Sequence, residues 1–335
     1  MARQRQPNAP RELQPYTAHL AQTPHALAAM LLSNGLQGAS TSQLADCIRR
    51  FGYYRLKGYW YPLLTPVENH KRRLPFRPGA NFNDVMEHYV FDQKLRLLVF
   101  DGIITIETFL RSFLATQLAL RDGPFGFMTH HGLPKLDDSH YKQCITILKD
   151  RYHRSQLTYI QHFRRTYSNE LPPYWMIVGC LDYGSLQRFF YEGAPDGIKH
   201  KLASRLAIHR PNQHIGIPGN TKLLGDWLES IRKVRNKVAH HDRLWNDQTR
   251  EVAIKLPQKQ PKTPYEGRWW GPDWDFLRQK KGPAAFLTTE NYLLKQIEGT
   301  TAWQDKFIRL MDDNPHIPIA QMGFPPDWRD QNLWK

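Results

Sequence analysis

The chain has 335 residues, 41% of them hydrophobic, which is enough for a substantial core in one large domain or two smaller ones. Its 46 Lys and Arg outnumber its 31 Asp and Glu, and the formal charge of +15 favours a polyanionic partner, nucleic acid ahead of an anionic membrane surface. A generically basic protein without such a partner is the alternative.

The cysteines and the hydropathy of the chain indicate the cellular compartment in which the protein works. Cys47, Cys144 and Cys180 are far apart and form no C-x-x-C pair, which argues against a disulfide framework and a zinc site. The N-terminus is polar and proline-rich, and no run of about 18 apolar residues occurs. We therefore expect a cytoplasmic protein that does not associate with a membrane.

The predicted elements begin after a polar arm at residues 1–18, which has few apolar residues to bury. A helix is predicted to start at Thr23-Pro24 and to stop at Gly35, and a second one starts near Ser40 or Thr41. Residues 51–62 are rich in aromatic side chains, which favours a packed turn between helices, although an RNA-stacking surface uses the same residue types. A basic cluster follows in a loop that is either solvated or bound to phosphate: Lys71, Arg72 and Arg73.

Residues 83–120 predict one long helix or a kinked pair, with an apolar stripe along one side. Glu107 and Arg111 lie one turn apart on it, an arrangement typical of a surface ion pair that, if buried, could orient a catalytic group. Residues 141–168 predict another helix, whose basic face is a candidate for phosphate contact or simply a solvated face. Its cations are Lys142, Lys149, Arg151, Arg154, Arg164 and Arg165.

The remaining elements are helical as well. Pro172-Pro173 predicts a helix start, and further helices are expected at 176–190, 198–206, 287–297 and 301–311. Strand patterns are nearly absent, so the predicted fold class is all-α. We expect a flexible arm at 1–18, a helical core at 19–250, and at 251–335 a loop rich in proline and tryptophan followed by C-terminal helices and an aromatic tail that pack on the core.

Residues 226–246 combine helix periodicity with dense polar chemistry. Trp227, Ile231, Val234, Val238 and Trp245 recur at helical spacing and predict a buried stripe. The other side carries Arg232, Arg235, Asn236, His240, His241 and Arg243.

Within this stretch, Arg235, Asn236 and His240 form the pattern R-N-x-x-x-H. Asn236 and His240 are four residues apart and share a helix face, whereas Arg235 lies roughly 140° from His240 and would have to swing toward it. An imidazole that titrates near neutral pH beside a permanent cation is suited to proton transfer at a phosphodiester, with no metal or other cofactor required. The alternative is an amphipathic helix with a solvated polar face, its last carbonyls capped by His240 and His241.

Residues 235–246 closely resemble the R-N-x-x-A-H-H-x-R-L-W-N signature of abortive-infection proteins of the AbiD/AbiF type, members of the HEPN superfamily. The resemblance extends over nearly the whole chain, apart from residues 251–283. Its other blocks are Tyr53-Tyr54-Arg55-Leu56-x-Gly58-Tyr59-Trp60, Phe91-Asp92-x-x-Leu95-Arg96, Ile106-Glu107-x-x-x-Arg111, Pro173-x-Trp175, Tyr183-Gly184-Ser185-Leu186 and Met322-Gly323-Phe324-Pro325 with Trp328 and Trp334.

The resemblance implies a HEPN-type helical bundle, with additional N- and C-terminal helices and long loops, and metal-independent RNA cleavage in defence against phage. It makes Arg235 and His240 the catalytic pair, with Asn236 as their polar companion and Glu107, Arg111 and His241 as supporting residues. It also implies a homodimer in which two motifs face each other. The competing function is a non-catalytic RNA-binding protein that grips a structured small non-coding RNA with the same cations.

Overall fold

The computed structural model describes residues 22–65, 75–208, 220–249, 253–257, 274–277 and 282–335. Within these ranges the chain forms twelve α-helices and no β-strand, which confirms the all-α prediction. The chain divides into two compact units, residues 1–89 and residues 90–335. The predicted arm at 1–18 and the basic cluster Lys71, Arg72 and Arg73 lie outside the described residues.

The first unit begins with two capped helices that follow the sequence prediction. Helix α1 (Pro24–Ser33) starts at Thr23, whose side chain accepts the Ala26 N–H. Helix α2 (Thr41–Phe51) starts with a reciprocal pair of hydrogen bonds between Ser40 and Gln43, which satisfies two of the amide groups that a helix start leaves open. The two helices pack against each other.

The prediction of a packed turn at residues 51–62 is wrong. Gly52, with a φ of 82°, ends α2, and helix α3 (Tyr53–Trp60) starts directly after it. The helix buries Tyr59 and Trp60 and leaves Tyr54 exposed. Aromatic residues have only modest helix propensity, and burial of one face has outweighed it here.

Helix α4 (Phe82–Asp122) is a single helix, the first of the two alternatives predicted for residues 83–120, and its residues belong to both units. In the second unit its inward side buries Leu95, Val99, Ile103, Ile106, Leu110 and Leu114. The same helix also buries one ion pair, between Asp92 and Arg96.

The helix predicted at 141–168 is broken into α5 (Asp138–Arg154) and α6 (Thr158–Thr166). The Arg164 guanidinium on α6 donates to the carbonyls of His153 and Ser155, which a continuous helix would have used for its own hydrogen bonds. It also lies over the Tyr152 ring. These hydrogen bonds interrupt the helix at residues 155–157. No local sequence pattern indicated this interruption.

The helix predicted at 176–190 is broken as well. Helix α7 (Tyr174–Ile177) begins after Pro173 as expected, but a 3₁₀ turn, Val178–Cys180, follows it, and helix α8 (Tyr183–Ser185) then leads into a π-helical turn, Leu186–Tyr191. Arg111 on α4 donates to the carbonyls of Val178 and Leu181, so the chain leaves regular helix where a distant side chain replaces the backbone partner.

Four longer helices complete the second unit: α9 (Asp196–Arg205), α10 (Thr221–Ala239), α11 (Ala284–Glu298) and α12 (Ala302–Asp312). The aromatic tail packs on α11 and α12. Trp328 and Trp334 are buried, and Trp334 Nε1 donates to Thr288 Oγ1 at 3.1 Å. The Gln304 side chain donates to the Trp334 carbonyl at 2.7 Å, which ties the tail to α12.

A buried carboxylate joins α4 to the segment that follows α10. One oxygen of Asp92 accepts the backbone N–H groups of Leu244 and Trp245 at 3.0 and 2.7 Å. The other oxygen pairs with Arg96, one turn further along α4. Leu244 and Trp245 are themselves buried, so the Asp92 carboxylate provides a hydrogen-bond acceptor for two amide groups that water cannot reach.

A second buried carboxyl group, that of Glu290 on α11, finds no hydrogen-bond partner among the described residues. Gly102 on α4 makes room for it, because a Cβ there would lie 2.5 Å from Glu290 Oε1 and 2.8 Å from Trp303 Nε1. Burial, with a smaller contribution from Asp101, raises the pKa of Glu290 well above its usual value. Burial therefore favours the neutral form of this group over the ionised form.

Replacement of Asp92 by Ala should lower the free energy of unfolding by roughly 3–5 kcal/mol, because Arg96 would remain buried without its carboxylate. Urea unfolding followed by circular dichroism measures this. The matched control is Asp101→Ala on the same helix. Asp101 pairs with Lys306, and both side chains are exposed, so loss of this pair should lower the free energy of unfolding by only about 0–1 kcal/mol. Equal losses for the two variants would contradict the anchoring role of Asp92.

Glu290→Gln should change the pH dependence of stability. The raised pKa means that the folded chain holds this proton more tightly than the unfolded chain, so wild-type stability falls as pH rises above the ordinary value of 4.5. Relative to Glu290→Gln, the wild type should lose about 1.4 kcal/mol per pH unit until the folded carboxyl ionises. Urea unfolding at a series of pH values tests this, with the exposed Glu298→Gln as control. Parallel profiles for the wild type and Glu290→Gln would refute it.

Candidate active site

The R-N-x-x-x-H motif lies at the C-terminal end of α10. Asn220 caps the start of this helix by accepting the Leu223 N–H at 3.1 Å. The predicted apolar stripe is confirmed: Trp227, Ile231, Val234 and Val238 are buried on one side of the helix. Trp245 is buried too, but beyond the end of the helix, which stops at Ala239 rather than near residue 246.

A tight turn ends α10 at the two histidines. The His240 N–H donates to Asn236 O, the His241 N–H to Val238 O and the Asp242 N–H to Lys237 O. His241 adopts a left-handed conformation with a φ of 61°, which reverses the chain after the helix. This places the His240 and His241 side chains on the surface beside the last turn of α10.

Two carboxylates hold the chain after this turn. Asp92 binds the amide groups of Leu244 and Trp245, as described above. Asp247 pairs with Lys237 at 2.9 Å, and both of these side chains are nearly buried. The histidine turn is therefore fixed between α10 and a segment that is itself anchored to α4.

An open pocket of about 310 Å³ lies on the polar side of this end of α10. Its lining residues are Arg232, Lys233, Asn236, Lys237, His240 and Asp242. The structure thus brings Asn236 and His240 together, as their spacing predicts, and it adds two lysines and Asp242, which the sequence analysis did not single out. The signal for Lys233 and Lys237 was available, because a helix with 100° per residue places them on the same side as Asn236 and His240.

The three cations of the pocket differ in how firmly their acidic partners hold them. Arg232 donates two hydrogen bonds to Glu229 at 2.8 and 2.7 Å, and Lys233 lies 3.5 Å from the same carboxylate, with all three side chains partly exposed. Exposed pairs of this kind contribute little to stability and exchange readily for another anion. Lys237, by contrast, is held by the buried Asp247.

Arg235 does not line the pocket. It is half-buried, its Nε finds no hydrogen-bond partner within the described ranges, and its charge acts on Asp182. Burial alone would raise the pKa of Asp182, but the hydrogen bond from the Ser185 N–H, together with Arg151 and Arg235, holds that pKa below its usual value. The charge of Arg235 therefore acts at Asp182, whereas His240 lines the pocket.

Glu107 and Arg111 support that segment. Arg111 pairs with Glu107 and donates to the carbonyls of Val178 and Leu181, the latter at 2.7 Å. Both residues are largely buried. They fix the chain directly before Asp182, and so they act on the surroundings of Arg235 rather than on His240.

Several cations of the basic face predicted for residues 141–168 form ion pairs with acidic side chains, which the sequence did not indicate. Lys149 pairs with Glu170, Arg151 with Asp182 and Arg154 with Asp150. Arg164 is bound to backbone carbonyls, and Arg165 lies 3.5 Å from the Gln161 side chain. Lys142 is exposed, and Arg243 is half-buried beside the histidine turn.

Among the described residues, no three His, Cys, Asp or Glu side chains lie together in a way that could hold a metal ion. No helix in that part of the chain is long and apolar enough to cross a membrane.

Comparison with known proteins identifies a family. The model of the Abi-like protein family matches residues 46–246, which include the second half of α2, all of α3 to α10 and the R-N-x-x-x-H motif. No curated protein and no solved structure matches the chain. The family match covers more than half of the chain, so this protein belongs to the Abi-like protein family, whose role is abortive infection, a defence against phage.

Proposed function

We propose that the protein is a metal-independent endoribonuclease of the HEPN type, which cleaves RNA as part of this defence. The observation that carries the proposal is the pocket in which the His240 imidazole and the Asn236 amide meet three cationic side chains, Arg232, Lys233 and Lys237. Imidazole transfers protons near neutral pH, and fixed cations stabilise the charge that develops on phosphoryl oxygens. The overall charge of +15 favours the approach of a polyanion such as RNA.

The proposed reaction uses only the RNA and these side chains. His240 takes the proton of a ribose 2′-hydroxyl, whose oxygen forms a bond to the adjacent phosphorus. The bond from phosphorus to the 5′-oxygen of the next nucleotide breaks, and that oxygen takes up a proton. The products are a cyclic 2′,3′-phosphate and a 5′-hydroxyl. Asn236 and the neighbouring cations hold the phosphoryl oxygens during the step.

A homodimer would bring Arg235 into this scheme. In one chain, His240 lines the pocket and Arg235 does not, so the two halves of the motif do not meet there. A two-fold axis beside the end of α10 would place the Arg235 of one chain and the His240 of the other around the same phosphate. It would also supply a second imidazole, so that one His240 acts as base and the other as acid.

The alternative is a non-catalytic protein that binds a structured small RNA. The position of Arg235 outside the pocket favours it, because a binder needs no convergence of Arg235 and His240 on one phosphate. The two functions differ in what they require of the imidazole. A binder uses it as one polar contact among many, and a nuclease depends on it for proton transfer.

His240→Ala should abolish cleavage and leave RNA affinity within a few-fold of the wild type, because the variant loses the proton-transfer group and keeps the cations. Cleavage is measured on labelled RNA in excess chelator, and the ends are identified as a cyclic phosphate and a 5′-hydroxyl. The matched control is His241→Asn, since asparagine tolerates the left-handed backbone at this neighbouring, exposed position. A strict need for added divalent metal, or full activity of His240→Ala, would contradict the mechanism.

Mixing an Arg235→Ala chain with a His240→Ala chain should restore part of the cleavage that neither chain shows alone. The mixed dimer keeps one Arg235 and one His240 at a composite site, so this imidazole acts as the base and water takes the place of the second imidazole as the acid. Light scattering measures the mass of the particle, and the same labelled RNA reports activity. A wild-type particle that is monomeric and fully active would rule out the composite site. Loss of activity in His241→Asn would instead identify a second imidazole within one chain.

A further inference from the structure

Two aromatic rings of the second unit are left open to water next to the turn that Arg111 holds. Trp175 on α7 is 59% exposed, and Tyr159 on α6 is 41% exposed. Large aromatic side chains gain free energy from burial, so exposed rings that lie close together indicate a surface that contacts another molecule.

Gly179 lets Tyr159 approach the turn that follows α7. It lies in that 3₁₀ turn, four residues after Trp175. A Cβ at this position would lie only 2.1 Å from the Tyr159 hydroxyl oxygen and 3.8 Å from a Leu157 methyl group. Because the side chain is absent, the Tyr159 hydroxyl lies against the backbone of the turn, four residues along the chain from Trp175.

Fixed cations border the two rings. Arg111 donates to the carbonyl of Val178, the residue before Gly179. Arg164 donates to the carbonyl of Ser155, two residues before Leu157. Arg151 pairs with Asp182, three residues after Gly179, and the charge of Arg235 acts on that same carboxylate. The aromatic surface therefore adjoins the part of the protein that carries Arg235.

We propose that Trp175 and Tyr159 form a stacking surface for unpaired RNA bases, which leads a single-stranded segment toward Arg235 and His240. This inference rests on the proposed action on RNA and specifies the form of RNA that is recognised. Aromatic rings beside cations stack exposed bases while the cations hold the phosphates. A duplex keeps the faces of its bases stacked on each other, so this surface selects single strands, loops or bulges. The Arg164 guanidinium, which binds backbone carbonyls rather than a carboxylate among the described residues, favours RNA over an apolar protein partner.

The test measures affinity on the His240→Ala chain, so that cleavage does not remove the probe. The probes are a labelled single-stranded oligouridylate of about 12 nucleotides and a ribose-phosphate oligomer of the same length without bases. Trp175→Ala and Tyr159→Ala should each weaken binding of the oligouridylate about five-fold to a hundred-fold. Neither should change binding of the base-free oligomer, and Trp175→Phe and Tyr159→Phe should restore most of the lost affinity.

The matched controls are Tyr54→Ala and Tyr61→Ala, which remove exposed rings from residues 51–62, the other candidate stacking segment. Both should bind like the parent chain. The inference is overturned if the Trp175 and Tyr159 variants bind as the parent does, if they lose affinity equally for the base-free oligomer, or if only the two control variants lose affinity for bases. If one of these results were obtained and the wild type still cleaved RNA, the stacking inference would fail and the proposed function would remain. A parent chain that binds neither probe and no other RNA would overturn the proposed function as well.

Discussion

The second unit depends on one buried carboxylate, that of Asp92. It sits on the longest helix and binds two backbone amides of the segment that follows the histidine turn, 152 and 153 residues away. Taking a carboxylate out of water is costly, and Asp92 is compensated by these amides and by Arg96. Because Leu244 and Trp245 cannot move without breaking these bonds, the turn at His240 and His241 has a defined place relative to α4.

Ionic and polar side chains repeatedly set the course of the backbone in this protein. Arg111 and Arg164 each bind carbonyls where a helix breaks, and Asp182 and Asp92 bind amides where the chain turns. Each of these groups replaces a backbone partner that the helix pattern would have supplied. The breaks are thus specific: each lies where an arginine from another part of the chain binds the carbonyls that leave the helix.

The position of Arg235 on α10 bears on how the R-N-x-x-x-H motif could act. The motif residues share one helix, but a helix distributes side chains around its axis, so Asn236 and His240 share the pocket and Arg235 lies on another side. A single chain therefore presents a cationic pocket with an imidazole and, separately, a guanidinium beside Asp182. Pairing of two chains, or a bound RNA that spans both sides, is what would join these parts into one reacting site.

Caps, apolar periodicity and i,i+4 spacing act over a few residues, so the sequence alone predicts the all-α class, the starts of α1 and α2, the helical course of residues 83–120 and the neighbourhood of Asn236 and His240. It did not predict α3, where burial of Tyr59 and Trp60 outweighed the propensity of an aromatic segment. The breaks at residues 155–157 and 178–182 follow from packing, since Arg164 binds carbonyls 9 and 11 residues away and Arg111 binds carbonyls 67 and 70 residues away. Packing also brings Asp182 near enough for the charge of Arg235 to lower the pKa of its carboxyl group, which no local pattern indicates.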